Sequence, residues 1–372
     1  MPHAPEPDED DFDAIARPQP VFHVEQALLG ALLLDPHRLG DVTGIAADSF
    51  STATHAAVFA AISTLPPPEP SEHAKNTTWL NQVLATGRER VRGLTASDLH
   101  AFIQVCPWPR HAAAYARMVE AEHARRRLQT AAERLVQTVH DASLPHPIQT
   151  VLAQADALTT VVDDIAARFP PRSNVLPRSP APPPAIAPDR TEAVEEEQLL
   201  LATATAYPSD IESVQWLLPD DFTLPLHAGL WQCLTALARR REPVDPVTVL
   251  WEAQQRGLLD HGSDPREVLR LLAEPAGSVE HWGERALQRS LLATADYTGW
   301  RIEAYASDPA NTPFQLVVGA RRSLADIGAV RTRWQHATGM VPTPRPRPAP
   351  ATRAGPPTTT APHTARAARA TR

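Results

Sequence analysis

The chain has 372 residues, enough for two domains of ordinary size, and its hydrophobic share of 43% supports packed cores. Its 39 prolines are too many for one continuous domain, so linkers and tails are expected. The net charge of −8 argues against a surface that coats nucleic acid broadly, and two cysteines cannot staple a secreted scaffold. No run of eighteen apolar residues and no secretory signal pattern occurs, so we expect a cytoplasmic protein without membrane contact.

The number of lysines limits the classes of enzyme to which the chain could belong. Lys75 is the only lysine, and a phosphate-binding P-loop requires Gly-Lys followed by Ser or Thr. Lys75 lies between Ala74 and Asn76, so the sequence contains no P-loop. It also lacks the Rossmann fingerprint, the Gly-x-Ser-x-Gly elbow and the His-Glu-x-x-His helix. We therefore predict a protein that is not an enzyme, with no catalytic residue, cofactor or metal.

Four biased segments divide the chain. Residues 1–20 are acidic and proline-rich, residues 66–76 contain a proline run, residues 168–192 contain eight prolines, and residues 341–372 are basic without any acid. The predicted organisation is an acidic disordered tail (1–20), module one (21–166), a Pro-rich linker (167–192), module two (193–328) and a basic disordered tail (329–372). The two modules are called copy one and copy two below.

An internal repeat relates the two copies. A shift of 172 positions places residues 24–62 on residues 196–234 without a gap, and ten of the 39 positions are then identical. The matched residues include Glu25 with Glu197, Pro36 with Pro208, Phe50 with Phe222 and His55 with His227, while Phe59 meets Trp231. We interpret both histidines as partly buried, hydrogen-bonded structural residues, Phe59 and Trp231 as core anchors, and Cys106 and Cys233 as ordinary buried thiols.

Apolar periodicity predicts an all-α fold. The stripe Val24, Ala27, Leu28, Ala31 and Leu32 predicts a first helix that ends at Asp35-Pro36. A long helix with Tyr115, Met118, Val119 and Leu128 is predicted from near His111, and a return helix carries Ile148, Val151, Ala155, Leu158, Val162 and Ile165. Each copy is thus predicted to be a small helical head followed by a helical hairpin, at roughly 111–166 and 279–328.

The run from Val24 to Pro36, with Asp48-Ser49-Phe50 and His55 after it, resembles the start of the N-terminal domain of DnaB-type replicative helicases. Copy two adds the family-like stretch from Glu242 to Leu250. In that family the domain precedes a RecA-type ATPase motor, pairs its heads and hairpins into a collar, and contacts primase and loading factors. Here a second copy stands where the motor would be, so the resemblance implies the collar role and not helicase activity.

We therefore predict a non-catalytic protein-interaction protein of DNA replication, with a replicative helicase, primase or helicase loader as partner. Two alternatives remain open: a DNA-binding regulator that uses the arginine-rich tail, and a remnant helicase subunit whose motor is supplied by another chain. The hairpins are predicted to pair within one chain as a pseudo-dimer, with further self-association left open. The candidate interface residues are Val151, Leu158, Val162, Ile165, Phe314, Val317, Leu324 and Ile327, and the candidate phosphate contacts are Arg125, Arg126, Arg127, Arg345 and Arg347.

Overall fold

The computed structural model describes residues 19–170, 176–178, 190–259 and 264–339, and within these ranges all regular structure is helical. The α-helices are α1 (Pro20–Leu34), α2 (Ala53–Thr64), α3 (Pro70–His73), α4 (Thr78–Arg90), α5 (Ala96–Val105), α6 (Ala112–Val139), α7 (Pro147–Arg168), α8 (Arg190–Ala206), α9 (Pro225–Arg240), α10 (Pro246–Gln255), α11 (Pro265–Leu271), α12 (Val279–Ser307) and α13 (Pro313–Ala337). The predicted all-α class, with two heads and two hairpins, is confirmed.

Head one comprises α1 to α5 and surrounds its first helix. Leu28, Leu29, Leu32 and Leu33 of α1 are all buried, so the helix is covered on more than the one predicted face. The approach of α5 is close: a Cβ added at Gly30 would lie 2.0 Å from the Phe102 carbonyl oxygen. A helix that is apolar around most of its circumference belongs inside a core, and α1 is the centre of this one.

Head two comprises α8 to α11 and repeats this plan with a different core chemistry. At the positions of Gly30, Ala31, Leu32 and Leu33 in copy one, α8 carries the buried residues Ala202, Thr203, Ala204 and Thr205. The threonine hydroxyls donate to carbonyls one turn earlier in the same helix, at 2.6 Å for Thr203 and 2.7 Å for Thr205. Because the hydroxyls are satisfied locally, alternating threonine does not prevent burial of this helix.

The two hairpins, α6–α7 and α12–α13, pack together as a four-helix bundle. Arg125 of α6 bonds the Ala306 carbonyl near the end of α12, whereas His140, just beyond α6, bonds Asp296 earlier in α12. The two long helices are therefore antiparallel. Their apolar residues, those of α7 and α13, and those of head two form one continuous buried cluster, while head one has a separate core.

The crossing of α6 and α12 lies near a pseudo-two-fold axis. A Cβ added at Gly299 would come within 2.5 Å of Val136 Cγ2 and 3.3 Å of the Ala132 carbonyl oxygen. In the register that aligns Tyr115 with Trp282, Gly299 is the equivalent of Ala132. Equivalent residues that meet each other are the mark of a two-fold, self-complementary interface, formed here between two copies in one chain.

Two details differ from the predicted pattern. Helix α13 continues to Ala337, past the predicted module boundary at 328, because Val330 is buried and Trp334 packs against the bundle core. On α6, Met118 is 53% exposed although it was placed on the apolar stripe, since the neighbouring Val119 occupies the buried position. The prediction therefore included one exposed residue, Met118, among the buried positions of that turn.

Candidate protein-interaction interface

The eight predicted interface residues all contribute to the buried cluster that the two hairpins share. Six of them, Val151, Leu158, Val162, Ile165, Val317 and Ile327, are buried in the shared cluster, and Phe314 and Leu324 pack against it half-buried. Phe314 also stands edge-on to Phe169, with ring centroids 6.0 Å apart. The seam of each hairpin is thus covered by the other hairpin.

The charges across α7 and α13 differ between the copies. Arg321 lies 2.9 Å from Asp163, and Arg331 lies 2.8 Å from Asp156 while also donating to the Leu152 carbonyl. Copy one supplies both acids and copy two supplies both arginines. Pairing of unlike copies therefore places opposite charges together.

Pairing of like copies would lose these contacts. In the register that aligns Pro147 with Pro313, Arg322 is the copy-two equivalent of Asp156, so two copy-two hairpins would place Arg331 against an arginine. Ala155 is the copy-one equivalent of Arg321, so two copy-one hairpins would leave Asp163 opposite an alanine. Opposite charges favour the unlike pairing and like charges disfavour the alternative, which is how paired helices select partners.

Arg125, a predicted phosphate contact, has its donors engaged inside the chain. Its guanidinium donates to the carbonyls of Ala306 (3.0 Å), Asp308 (2.6 Å) and Asn311 (2.5 Å), and at 3.3 Å to that of Pro309. The carbonyls of Ala306 and Asp308 lie at the end of α12, where a helix leaves its last carbonyls without intrahelical partners, and those of Pro309 and Asn311 lie in the loop that follows. Arg125 thus caps a helix of copy two from copy one.

The neighbouring arginines line a basic groove of about 440 Å³ along α6, with His123 and Arg134. Arg126 donates to the Ser49 carbonyl at 2.6 Å, and Arg127 lies 3.0 Å from Asp164. Burial lowers the pKa of His123, and the nearby arginines lower it further against an opposing effect of Asp48. The remaining candidate phosphate contacts, Arg345 and Arg347, lie outside the described residues.

Each head contains a buried glutamate–histidine pair that sequence reasoning did not identify. The Glu25 carboxylate lies 2.7 Å from His55 Nδ1 and accepts from the Ser51 backbone N–H. In copy two Glu197 lies 2.7 Å from His227 Nδ1 and accepts from the N–H of Thr223, the equivalent of Ser51. The signal was available, because both the glutamates and the histidines are identical between the copies.

These pairs are structural. All four side chains are at most 2% exposed, and each carboxylate joins the first helix of its head to the loop and helix that follow. Buried polar groups of this kind are retained when their hydrogen bonds are satisfied. The histidines are hydrogen-bonded as predicted, but they are fully rather than partly buried.

An arginine near the end of each hairpin contacts its own head. Arg168 of α7 donates to the Gly44 carbonyl at 2.6 Å, and Arg333 of α13 donates to the Trp216 carbonyl at 3.3 Å. Gly44 and Trp216 are equivalent in the repeat. Arg333 also pairs with the buried carboxylate of Asp221, so head two is held more firmly to its hairpin.

The two thiols are not poised for nucleophilic chemistry. Cys233 is buried, and burial raises its pKa to about 11. Cys106 is half-buried rather than fully buried, and burial again raises its pKa. A reactive cysteine requires a lowered pKa, which neither environment provides.

A search of the described residues for a helix that could span a membrane finds no candidate.

Comparison with known families identifies the heads. The model of the DnaB-like helicase N terminal domain matches residues 17–121 and 189–284, which together make up more than half of the chain. The matched segments contain both heads and the start of each hairpin. No curated protein and no solved structure gives a match. The chain belongs to the DnaB-like helicase N-terminal domain family and carries that domain twice.

Proposed function

We propose that this protein is a non-catalytic interaction protein of DNA replication, which presents two helicase N-terminal domains as a preassembled pair to a replicative helicase, primase or helicase loader. The observation that carries the proposal is the antiparallel packing of the two hairpins within one chain. The family resemblance implies that such hairpins pair between subunits of a collar. A chain that satisfies this pairing internally has its heads left for a partner.

Head two offers the more suitable contact surface. Val247 and Trp251 lie one helical turn apart on α10 and are 65% and 63% exposed. In the register that aligns Thr78 with Thr248, their equivalents in copy one are the polar residues Thr77 and Asn81, which are also exposed. Tryptophan is among the residues most enriched at the energetic centres of protein interfaces. We therefore assign the partner contact to α10 of head two.

The test is reconstitution with purified proteins from the same cell. The full chain is titrated by calorimetry against the replicative helicase, the primase and the loader in turn. We expect saturable binding to one of them, weakened at least about tenfold by Trp251→Glu, which removes an interface anchor. Asn81→Glu is the matched control and leaves binding unchanged. Absence of binding to all three proteins would overturn the proposal.

A second candidate is DNA binding, which the basic groove on α6 favours. The exposed Arg134 and the half-buried His123, Arg126 and Arg127 are suited to backbone phosphates. Arg134→Glu should then weaken single-stranded DNA binding and reduce its salt dependence, whereas the control Arg92→Glu on head one should not. Equal DNA affinity of both variants and the unchanged chain would exclude this groove.

The third reading, a helicase remnant, is tested in the same reconstitution. It requires the motor to come from another chain, because the sequence contains no P-loop. ATPase activity that appears only when this chain is added to a motor protein would support it. Unchanged ATPase activity of each partner would count against it.

A further inference from the structure

Both heads have a groove at the same place. In head two the groove has a volume of about 320 Å³ and lies between the 3-10 segment Pro208–Val214 and the end of α9. In head one the corresponding groove, of about 280 Å³, is lined by the equivalent residues Pro36, His37, Leu39 and Gly40. The repeat therefore builds this groove twice.

In head one a proline segment of the chain itself forms a wall of the groove. Helix α2 ends at Thr64, and the prolines that follow lie along the opening, with Pro67 lining it. His37 Nε2 lies 3.0 Å from the Pro68 carbonyl oxygen, and Trp79 Nε1 donates to the Pro66 carbonyl at 3.0 Å. In head two α9 continues to Arg240, and no run of consecutive prolines follows it.

We propose that the groove of head two binds the proline–arginine segment 342–348 of the same chain. In this segment prolines alternate with other residues, among them Arg345 and Arg347. Proline fixes φ near the polyproline II value, so the segment gives up little conformational freedom on binding. Apolar grooves that hold extended proline segments are a recurrent mode of peptide recognition.

The lining of the groove fits this occupant. The half-buried side chains of Ala238 and Val244 provide an apolar surface for proline rings above the buried Ile211, Val214 and Leu217. Glu212, exposed on the 3-10 segment, supplies a carboxylate on one side. The rim near the end of α9 carries Arg239 and Arg241 together with Glu242, which is paired with Arg240. We therefore expect the arginines of the bound segment to face Glu212.

The net charges of head two and of the C-terminal tail also favour this binding. Residues 190–274 contain 15 acidic and 7 basic side chains, whereas residues 341–372 contain six arginines and no acid. Such complementarity attracts the tail to head two over a distance of about one Debye length, roughly 8 Å at physiological salt. Head two therefore has a net negative charge and the tail a net positive charge, while Arg239 and Arg241 on the groove rim are the local charges that oppose the approach.

The last turns of α13 lie close to the groove. Arg333 in the last turns of α13 donates to the Trp216 carbonyl, and the residues on either side of it, Gln215 and Leu217, line the groove. From Gly339, the last described residue, only two residues separate the fold from Pro342. A tether this short gives an effective concentration of roughly millimolar, so modest intrinsic affinity suffices.

The proposal is tested in the full chain by disulfide formation between Thr235→Cys, which lines the groove, and Pro346→Cys in the tail. Cys106→Ser removes the half-buried thiol, and Cys233 remains because it is fully buried. We expect a rapid intramolecular disulfide whose rate falls about tenfold or more when Glu212→Arg is added, and falls also at high salt.

Two control variants test whether the disulfide depends on the groove and on the proline–arginine segment. Arg266→Cys on α11 replaces the groove cysteine with an exposed position of the same head, and Ala367→Cys moves the tail cysteine away from the proline–arginine segment. Both controls should react slowly. Equal rates for Thr235→Cys and Arg266→Cys, or disulfides that form only between molecules, would overturn the proposal. This outcome is independent of partner binding through α10, so failure of one proposal leaves the other intact.

Discussion

The guanidinium of Arg125 donates a hydrogen bond to the backbone carbonyl of Asn311, 2.5 Å away, in the loop that joins α12 to α13. One side chain of copy one is thereby attached to the turn of the hairpin of copy two. Its position in copy two is taken by Leu292, so the contact is made in one direction only. A positive charge at the C-terminal end of α12 also interacts favourably with the dipole of that helix.

Replacement of Arg125 should destabilise the pairing of the copies. Arg125→Ala leaves up to four carbonyls without their donor, and we expect a loss of about 2–3 kcal/mol in the free energy of unfolding. Arg127→Ala is the adjacent control, because its ion pair with Asp164 is exposed and is expected to contribute less than about 1 kcal/mol. Urea denaturation measures both. Equal losses would show that the carbonyl contacts contribute little.

The crossing of α6 and α12 should not accept a large side chain at Gly299. Gly299→Leu places atoms where Val136 and the Ala132 carbonyl already lie, and we expect a cost of about 1–3 kcal/mol or separation of the hairpins. Gly328→Leu on α13 is the control, because a Cβ there meets nothing within 4 Å. That control should be neutral or slightly stabilising, since leucine has the higher helix propensity. Thermal unfolding compares the two variants.

The acidic and basic members of the Asp156–Arg331 pair should be exchangeable between α7 and α13. Arg331→Asp places two acids together at Asp156 and should destabilise the bundle by roughly 0.5–1 kcal/mol, as expected for a partly exposed pair. The double variant Asp156→Arg with Arg331→Asp should recover most of that loss. A double-mutant cycle measures the coupling. If the double variant is no more stable than Arg331→Asp, the pair does not contribute to the choice of partner.

The pH dependence of stability should be altered by a change at Glu303. Desolvation raises the pKa of Glu303 on α12, and the nearby Glu133 of α6 raises it further. A raised folded-state pKa means that the protonated form is favoured on folding, so this contribution is fully present below the unfolded pKa and is lost as the pH rises through the folded value. Glu303→Gln should therefore be more stable than the unchanged chain at pH 7, and the advantage should vanish below about pH 4. An advantage that is equal at both pH values would contradict the assignment.

Much of the hairpin was predictable because its periodicity is strong. All six apolar residues of the return helix from Ile148 to Ile165 are buried, as their spacing indicated. The contacts of Arg125 with backbone carbonyls could not be predicted, because backbone carbonyls leave no trace in a sequence and these lie far along the chain. Glu25 was overlooked for a related reason: its partner His55 is 30 residues away, and only the fold brings them together.

Cutting the linker tests the pairing of the two copies most directly. A protease site inserted after Pro184 is cleaved in the full chain, and the product is measured by size-exclusion chromatography with light scattering at about 1 µM, far below the roughly millimolar effective concentration of a tether. We expect the two fragments to elute as one particle with the 40.5 kDa mass of the uncut chain, and to separate when Gly299→Leu is present. Fragments that separate without that substitution, or an uncut chain that elutes at twice the mass and forms its hairpin contacts between molecules, would contradict an intramolecular pair.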